Sequence, residues 1–140
     1  MAGINLRRVL VGGLAVGLVL NITESFLNMV VLADANAASM KALNLPPISG
    51  AAIGWYVFWG FLQGLVTVWL YAALRPRLGP GPRTALAAGF LVWLLAYAVP
   101  GIGNAMTHLM PWHLTGVYLA WVLVEAPGVA LLGGWLYRED

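Results

Sequence analysis

Four long runs of apolar residues, separated by short polar segments, set the pattern of this sequence. Each run is close to the ~20 residues that an α-helix needs to cross the hydrocarbon core of a bilayer. Backbone groups surrounded by lipid must bond within their own segment, so we predict that all of these runs are helices. The predicted spans are 9–32, 51–74, 84–108 and 114–137. The predicted fold is an all-α membrane protein, a four-transmembrane-helix bundle that occupies residues 1–140 as one integral membrane domain.

The segments between the predicted spans are short and rich in turn residues. The longest, residues 33–50, ends in two prolines and a Ser-Gly pair, and within it residues 37–43 are predicted to form a short surface helix. Residues 75–83 (RPRLGPGPR) predict a rigid, basic turn, and residues 109–113 (LMPWH) predict a tight turn. Connections this short favour an antiparallel arrangement of consecutive helices.

The composition supports lipid as the solvent. Hydrophobic residues make up 61% of the chain and charged residues 9%, against ~45–50% and ~25% in a typical soluble protein. There is no cysteine, which excludes disulfides, thiolate catalysis, Cys-ligated zinc and iron–sulfur clusters. The net charge of +2 is too small to argue for nucleic acid. The expected partners are therefore the lipid bilayer and either further copies of this chain, in a homo-oligomer, or a larger membrane complex, with no nucleic acid.

The basic residues predict how the chain is oriented in the membrane. Four spans would place six arginines on one side, namely Arg7, Arg8, Arg75, Arg77, Arg83 and Arg138, and Lys41 on the other. Cytoplasmic loops carry the excess of basic residues, so both termini are predicted to be cytoplasmic, in a multi-pass protein of the bacterial inner membrane. A cleaved signal peptide is the alternative for the first run, because Ala33-Asp34-Ala35 resembles a cleavage site. That run of about 24 residues is, however, longer than the ~7–15 of a signal peptide.

The two halves of the chain resemble each other. The first and third predicted spans align at an offset of 76 residues, and the second and fourth at an offset of 62. The matched pairs include Arg7 with Arg83, Gly13 with Gly89, Asn28 with Asn104, Tyr56 with Tyr118, Trp59 with Trp121 and Gln63 with Glu125. We predict a tandem repeat of two helical hairpins with a pseudo-twofold axis along the membrane normal. Chance similarity between apolar helices is the other interpretation.

Two acids lie inside the predicted spans. Glu24 is in the outer half of the first, and Glu125 is near the middle of the fourth. A charged side chain at the bilayer centre costs ~2.5–3.5 kcal/mol or more, and no lysine or arginine lies within a predicted span to compensate. Each acid could be protonated, could hold a cation or an amine, or could bond to a neutral polar residue. The first two possibilities predict a proton- or cation-binding site, and the third predicts polar packing between helices.

Helical spacing places the polar residues on one stripe of each predicted helix, and these stripes are expected to turn inward. On the second helix the stripe comprises Tyr56, Trp59, Gln63 and Thr67. The candidate residues for binding a substrate, an ion or a proton are Glu24, Glu125, Gln63, Asn28, Asn104, Tyr118 and His108.

Two further sequence patterns are weaker indications of a functional role. Pro100, with Gly101 and Gly103, is predicted to kink the third helix, although broken helices can also expose carbonyl groups to an ion. Residues Met106, His108, Met110 and His113 have side chains that suit copper(I), and a histidine could hold a haem or a pigment. The spacing is not specific for either, so we predict no metal and no cofactor.

Three functions compete at this point. The first is an oligomeric transporter or channel that uses Glu24 and Glu125. The second is a non-catalytic structural subunit or assembly factor of a larger respiratory or photosynthetic membrane complex. The third and least favoured is an enzyme acting on lipid or quinone, with Glu24, His108 and Glu125 as acid–base groups. The sequence contains no phosphate-binding glycine loop, nucleophile elbow or HExxH motif.

Overall fold

The computed structural model describes residues 3–137 of the chain, and this range contains helices and turns but no strand. The α-helices are α1 (Leu6–Phe26), α2 (Ala33–Ala42), α3 (Gly50–Leu78), α4 (Pro82–Val92), α5 (Val99–Met106) and α6 (Trp112–Leu136). Two π-helical turns, Leu27–Val31 and Trp93–Ala98, continue α1 and join α4 to α5. Within residues 3–137 there are thus four spans long and apolar enough to cross a membrane, Leu6–Val31, Gly50–Leu78, Pro82–Met106 and Trp112–Leu136. The predicted all-α bundle is confirmed.

The spans pack as two hairpins. The largest contacts are between α1 and α3 and between α4 and α6, and the two hairpins meet where α1 touches α6 and where α3 touches α4 and α6. The short connections make consecutive spans antiparallel. We call the end that holds Arg7, Arg8, Arg75, Arg77 and Arg83 the arginine end, and the opposite end the α2 end. Arg138 lies outside the described residues, and the predicted cytoplasmic position of the arginine end stays a prediction.

The connection between the hairpins is shorter than the sequence predicted. Helix α3 continues through Pro76 to Leu78, so the basic turn predicted at 75–83 is reduced to residues 79–81. Because Pro76 lies in the last turn, its missing N–H costs a single helical hydrogen bond. The helix then ends at Gly79, whose N–H donates to the carbonyl of Arg75 (2.9 Å) and whose φ of 81° is a conformation that glycine adopts without strain.

Glycines allow α1 and α3 to touch backbone to backbone. A Cβ atom on Gly64 would overlap the carbonyl oxygen of Gly13 and lie 2.5 Å from the backbone nitrogen of Gly17. In the second hairpin, a Cβ atom on Gly89 would lie 2.5 Å from the Cα of Pro127. Small residues of this kind bring membrane helices together through van der Waals packing. Each hairpin is therefore held by a close backbone contact.

These two contacts fall at related positions of the chain. A Cβ atom on Gly13 would lie 2.7 Å from the Cα of Leu65, as one on Gly89 would lie 2.5 Å from that of Pro127. Gly13 and Gly89 are 76 residues apart, and Leu65 and Pro127 are 62 residues apart. Each hairpin thus has a close backbone contact at the same relative level.

Proline does not break the third span. Pro100 lies in the first turn of α5, directly after the π-helical turn Trp93–Ala98, and the helical path continues to Met106. A proline has no N–H for the preceding turn, and the wider π geometry is one way in which a helix accommodates such a loss. Pro127 likewise lies inside α6 without ending it.

The buried apolar residues form two clusters. The larger one fills the arginine end and includes Val9, Val16, Leu20, Val68, Tyr71, Ala72, Ala85, Ala88, Val129 and Tyr137. A smaller one at the α2 end consists of Leu27, Leu32 and Leu114, with Ala35, Met110, Tyr118 and Trp121 packed against it. The polar side chains described next lie between these two clusters.

Candidate functional site

Glu24 and Glu125 meet where α1 packs against α6. At ~1.5 Å per residue, Glu24 lies roughly 10 Å from the end of its span at Val31, and Glu125 lies roughly 20 Å from the start of α6 at Trp112. Because Cα–Cβ bonds lean toward a helix N-terminus, Glu24 leans toward the arginine end and Glu125 toward the α2 end. The antiparallel helices therefore point the two side chains at each other. Thr23, which adjoins Glu24, contacts Glu125, and Tyr118 of α6 contacts Glu24.

Neutral hydrogen-bond donors surround this carboxyl pair. The Thr23 hydroxyl donates to Oε1 of Glu125. Nδ2 of Asn28 donates to Oε2 of Glu24 at 3.1 Å, and the Tyr118 hydroxyl lies 3.4 Å from each oxygen of the same carboxyl group. Nε1 of Trp121 lies beside Glu125 but in a geometry too poor for a hydrogen bond.

The pair has no basic partner. In the described range 3–137, the electrostatic neighbours of the two acids are each other and two tyrosines, Tyr97 and Tyr118. Two ionised carboxylates have only acceptors, so a hydrogen bond between Glu24 and Glu125 requires a proton on one of them. The geometry therefore describes two half-buried carboxyl groups side by side, which can bond directly only when one of them is protonated.

A second polar contact extends the cluster to α3 and to span 3. Nε2 of Gln63, on α3, donates to the hydroxyl of Tyr97, which lies in the π-helical turn of span 3. The Tyr97 ring is 6.0 Å from the Tyr118 ring, measured between centroids. Gln63 is thus connected to Glu24 through two aromatic side chains.

Toward the α2 end, the cluster continues as a pair of asparagines. Nδ2 of Asn36, on α2, lies 3.3 Å from Oδ1 of Asn28. The same asparagine, Asn28, donates to Glu24 through its Nδ2. Asn28 is exposed and Asn36 is half-buried. The polar side chains therefore run from the carboxyl pair to the surface at this end of the bundle.

Two of the predicted site residues lie elsewhere. Asn104 and His108 are exposed at the α2 end of span 3, and His108 follows the end of α5 with a φ of 60°. Within the part of the chain that the structure describes, no hydrogen bond joins either side chain to the carboxyl pair. Glu24, Glu125, Asn28 and Tyr118 are brought together, and Gln63 joins them through Tyr97.

The inward-facing stripe predicted on the second helix is wrong in part. Gln63 is half-buried and Thr67 is fully buried, but Tyr56 and Trp59 are 63% and 52% exposed. Both lie toward the α2 end of α3, where amphipathic aromatic rings are favoured at the membrane interface. Tyr56 and Trp59 are therefore exposed although they were predicted to lie on the same helix face as the half-buried Gln63.

The sequence-based site left out Thr23, Tyr97 and Trp121. Trp121 precedes Glu125 by four residues and Tyr97 precedes Asn104 by seven, so helical spacing carried a signal for both. Thr23 adjoins Glu24 in sequence and lies on a different stripe of α1. Its contact with Glu125 depends on how α1 and α6 pack.

The side chains do not suggest a metal centre. Among residues 3–137, no group of three or more His, Asp or Glu side chains is arranged to hold a metal ion. Met106, His108 and His113 are all exposed. The chemistry that the cluster can perform is the binding and release of protons or cations at carboxyl oxygens.

The chain was compared with protein-family models, with curated proteins and with solved structures. None of them matches it. The helices and their apolar character establish a polytopic membrane protein. Any finer function has to be argued from the carboxyl pair and its surroundings.

Proposed function

We propose that the protein is an oligomeric transporter or channel of the bacterial inner membrane, coupled to protons or cations through Glu24 and Glu125. The observation that carries this proposal is the meeting of two half-buried carboxyl groups between α1 and α6, with no basic partner among residues 3–137. Placing an acid at membrane depth costs ~2.5–3.5 kcal/mol or more. Neutral residues such as asparagine or glutamine could join the helices at lower cost, so packing alone does not account for two acids.

The interior of one copy supports an oligomer. Val16, Val68 and Val122 are fully buried, and the glycine contacts bring α1 and α3 together near the middle of α3. A single bundle in this conformation therefore offers no continuous polar path through residues 3–137. A second copy, or a rearrangement of the two hairpins, would have to complete the pathway.

The predicted tandem repeat supplies a residue in the first hairpin that corresponds to Glu125 in the second. The repeat places Gln63 at the position of Glu125. Gln63 contacts Tyr97 of span 3, while Glu125 contacts Thr23 of span 1, so both join one hairpin to the other. The close contacts of Gly13 and Gly89 also follow the offsets of the repeat. Repeats related by an axis along the membrane normal occur in transporters, with binding sites near the midplane.

The test is a flux assay on purified protein in liposomes. We expect the wild-type protein to dissipate an imposed pH gradient or a gradient of Na⁺, K⁺ or an organic cation, and Glu125→Gln to abolish the flux while the protein still inserts and assembles. Asp34→Asn is the matched control, because it removes a carboxyl group from the exposed face of α2 and should leave the flux unchanged. Equal flux in Glu125→Gln and the wild-type protein would overturn the proposal.

A structural subunit or assembly factor of a larger membrane complex is the second candidate. The observation that favours it is an exposed aromatic face on α3 formed by Trp55, Tyr56, Phe58 and Trp59, with ring centroids of Trp55 5.5 Å from Phe58 and 6.1 Å from Trp59. Such a face suits a docked helix. Gentle detergent purification at native expression would then yield a large heteromeric complex, and Glu125→Gln would leave its assembly intact.

A further inference from the structure

We infer that the ligand of the carboxyl pair is the proton rather than a metal ion or an amine, and that it reaches the pair from the α2 end along Asn36 and Asn28. The inference deepens the proposed function and rests on it for the role of the site. It concerns which ion binds and from which side, and both can be measured without a transport assay.

The first argument is the polarity of the groups around the pair. Nδ2 of Asn28 donates to Glu24, and the hydroxyl groups of Thr23 and Tyr118 lie against oxygens of the pair, to which each can donate its single hydrogen. A metal ion such as Na⁺ or Ca²⁺ needs several oxygen lone pairs that face inward, and an ammonium group needs acceptors. A donor that bonds to a carboxyl oxygen occupies a lone pair that a cation would need. Donors stabilise an anion, so these groups fit a carboxyl pair that carries one proton and one negative charge.

The second argument is an acceptor that the protein leaves unused. Oε1 of Glu125 accepts from Thr23, whereas the buried Oε2 accepts no hydrogen bond from another described group. Buried polar atoms without a partner are rare, and each calls for an explanation. Oε2 is the acceptor available for a proton on Glu24. Nε1 of Trp121, a buried donor beside it, is likewise without a hydrogen bond in the part of the chain described.

The third argument concerns the titratable and charged groups around the pair. Tyr118 faces it from α6, and Tyr97 faces it from span 3. Helix α3 contributes Gln63, which does not titrate, and α1 contributes Thr23 and Asn28. On α2, Asp34 and Lys41 are exposed. Proton uptake by the pair is therefore not compensated by a basic neighbour within residues 3–137 and changes its net charge.

The fourth argument gives the direction of access. Between Glu125 and the arginine end of α6 lie 11 residues, or roughly 16 Å of helix. This stretch is filled by the larger apolar cluster, in which Val16, Leu20 and Val68 are at most 1% exposed. Toward the α2 end, Asn28 and Asn36 provide polar contacts up to the surface. In this conformation the α2 end is the side from which protons can exchange.

Infrared difference spectroscopy on the purified protein tests the ligand. We expect acidification to raise the protonated-carboxyl band by one further group, and Glu24→Gln and Glu125→Gln each to leave a single titrating carboxyl in the pair. Asp34→Asn should leave the signal of the pair unchanged, and Glu125→Asp should restore the paired titration if Glu125→Gln disturbs folding. We expect Na⁺, K⁺, Ca²⁺ and tetramethylammonium to leave the titration midpoint unshifted. A midpoint shift with any of these cations would overturn the assignment to the proton.

Cysteine labelling tests the direction, because the natural chain has no cysteine. Asn28→Cys should react with a membrane-impermeant maleimide added at the α2 end, as fast as the surface control Ala38→Cys to within about tenfold. Val68→Cys, in the apolar cluster, should stay unlabelled from both sides. Labelling of Val68→Cys from the arginine end, or no labelling of Asn28→Cys, would overturn the access route.

The two proposals fail separately. Proton titration of the pair without flux in liposomes would refute the transporter and leave the proton site standing. Flux accompanied by a cation-dependent shift of the titration would refute the proton assignment and leave the transporter standing.

Discussion

Replacing Gly64 by alanine would drive a methyl group into the backbone of α1. The added Cβ atom would overlap the carbonyl oxygen of Gly13 and lie 2.5 Å from the nitrogen of Gly17. Ordinary contacts between such atoms are ~3.5 Å long, so α1 would have to move away by roughly 1 Å. No side-chain rotation can relieve the overlap, because backbone atoms form the contact on both sides.

The size of the effect follows from the close packing of the hairpin. Forcing one methyl group into a well-packed interior destabilises a protein by about 1–3 kcal/mol. We expect Gly64→Ala to lie at the upper end of this range, since a whole helix has to shift. At ~1.4 kcal/mol per factor of ten, the ratio of unfolded to folded protein would rise by roughly 5- to 150-fold.

Reversible unfolding in mixed micelles measures this free energy. Purified protein in a mild detergent is titrated with dodecyl sulfate, and the fluorescence of its seven tryptophans reports the folded fraction. Gly54→Ala and Gly116→Ala are the matched controls, because nothing lies within 4 Å of a Cβ atom built at either helical position. Both controls should be unchanged or slightly stabilised, by up to ~1 kcal/mol, since alanine favours the helix over glycine. Equal stability of Gly64→Ala and Gly54→Ala would refute the backbone contact between α1 and α3.

Two other outcomes can be measured on the same preparations. Asn21→Leu removes a side-chain hydrogen bond to the carbonyl of Val57 on the facing helix (3.2 Å), and Trp93→Phe removes one to the carbonyl of Leu119 (3.0 Å). Each substitution should lower the free energy of unfolding by about 0.6–2 kcal/mol. An unchanged free energy of unfolding in either variant would contradict the corresponding hydrogen bond. In intact cells, the exposed position Ala38→Cys should be labelled by an impermeant maleimide and Arg83→Cys should not, and the reverse pattern would invert the predicted orientation.

The spans could be predicted because hydrophobic runs of sufficient length specify membrane helices almost alone. Their ends were less certain. Helix α3 continues past Pro76, because a proline in the final turn removes only one hydrogen bond. The turn predicted at 75–83 was therefore too long, since the prediction assumed that Pro76 ends the helix. The π-helical turn Leu27–Val31 had no signal at all, because it depends on how the end of α1 meets α2.

The candidate site was predicted from two rules, the cost of acids in lipid and the helical repeat of polar residues. Both rules selected Glu24 and Glu125, but neither could show that these residues touch. Periodicity failed for Tyr56 and Trp59, because lipid accepts aromatic side chains as readily as a protein interior does. The partners of the acids also depend on the angle between α1 and α6, and for this reason Thr23 was missed.

The glycine contacts also decide which motions of the bundle are easy. Within each hairpin, backbone meets backbone, so sliding or twisting one helix against the other meets hard repulsion at once. Between the hairpins, α1 and α6 are joined at the carboxyl pair by hydroxyl and carboxyl groups that can exchange partners. Each hairpin should therefore move as a rigid unit. A change of charge at Glu24 and Glu125 acts at the interface between the two hairpins.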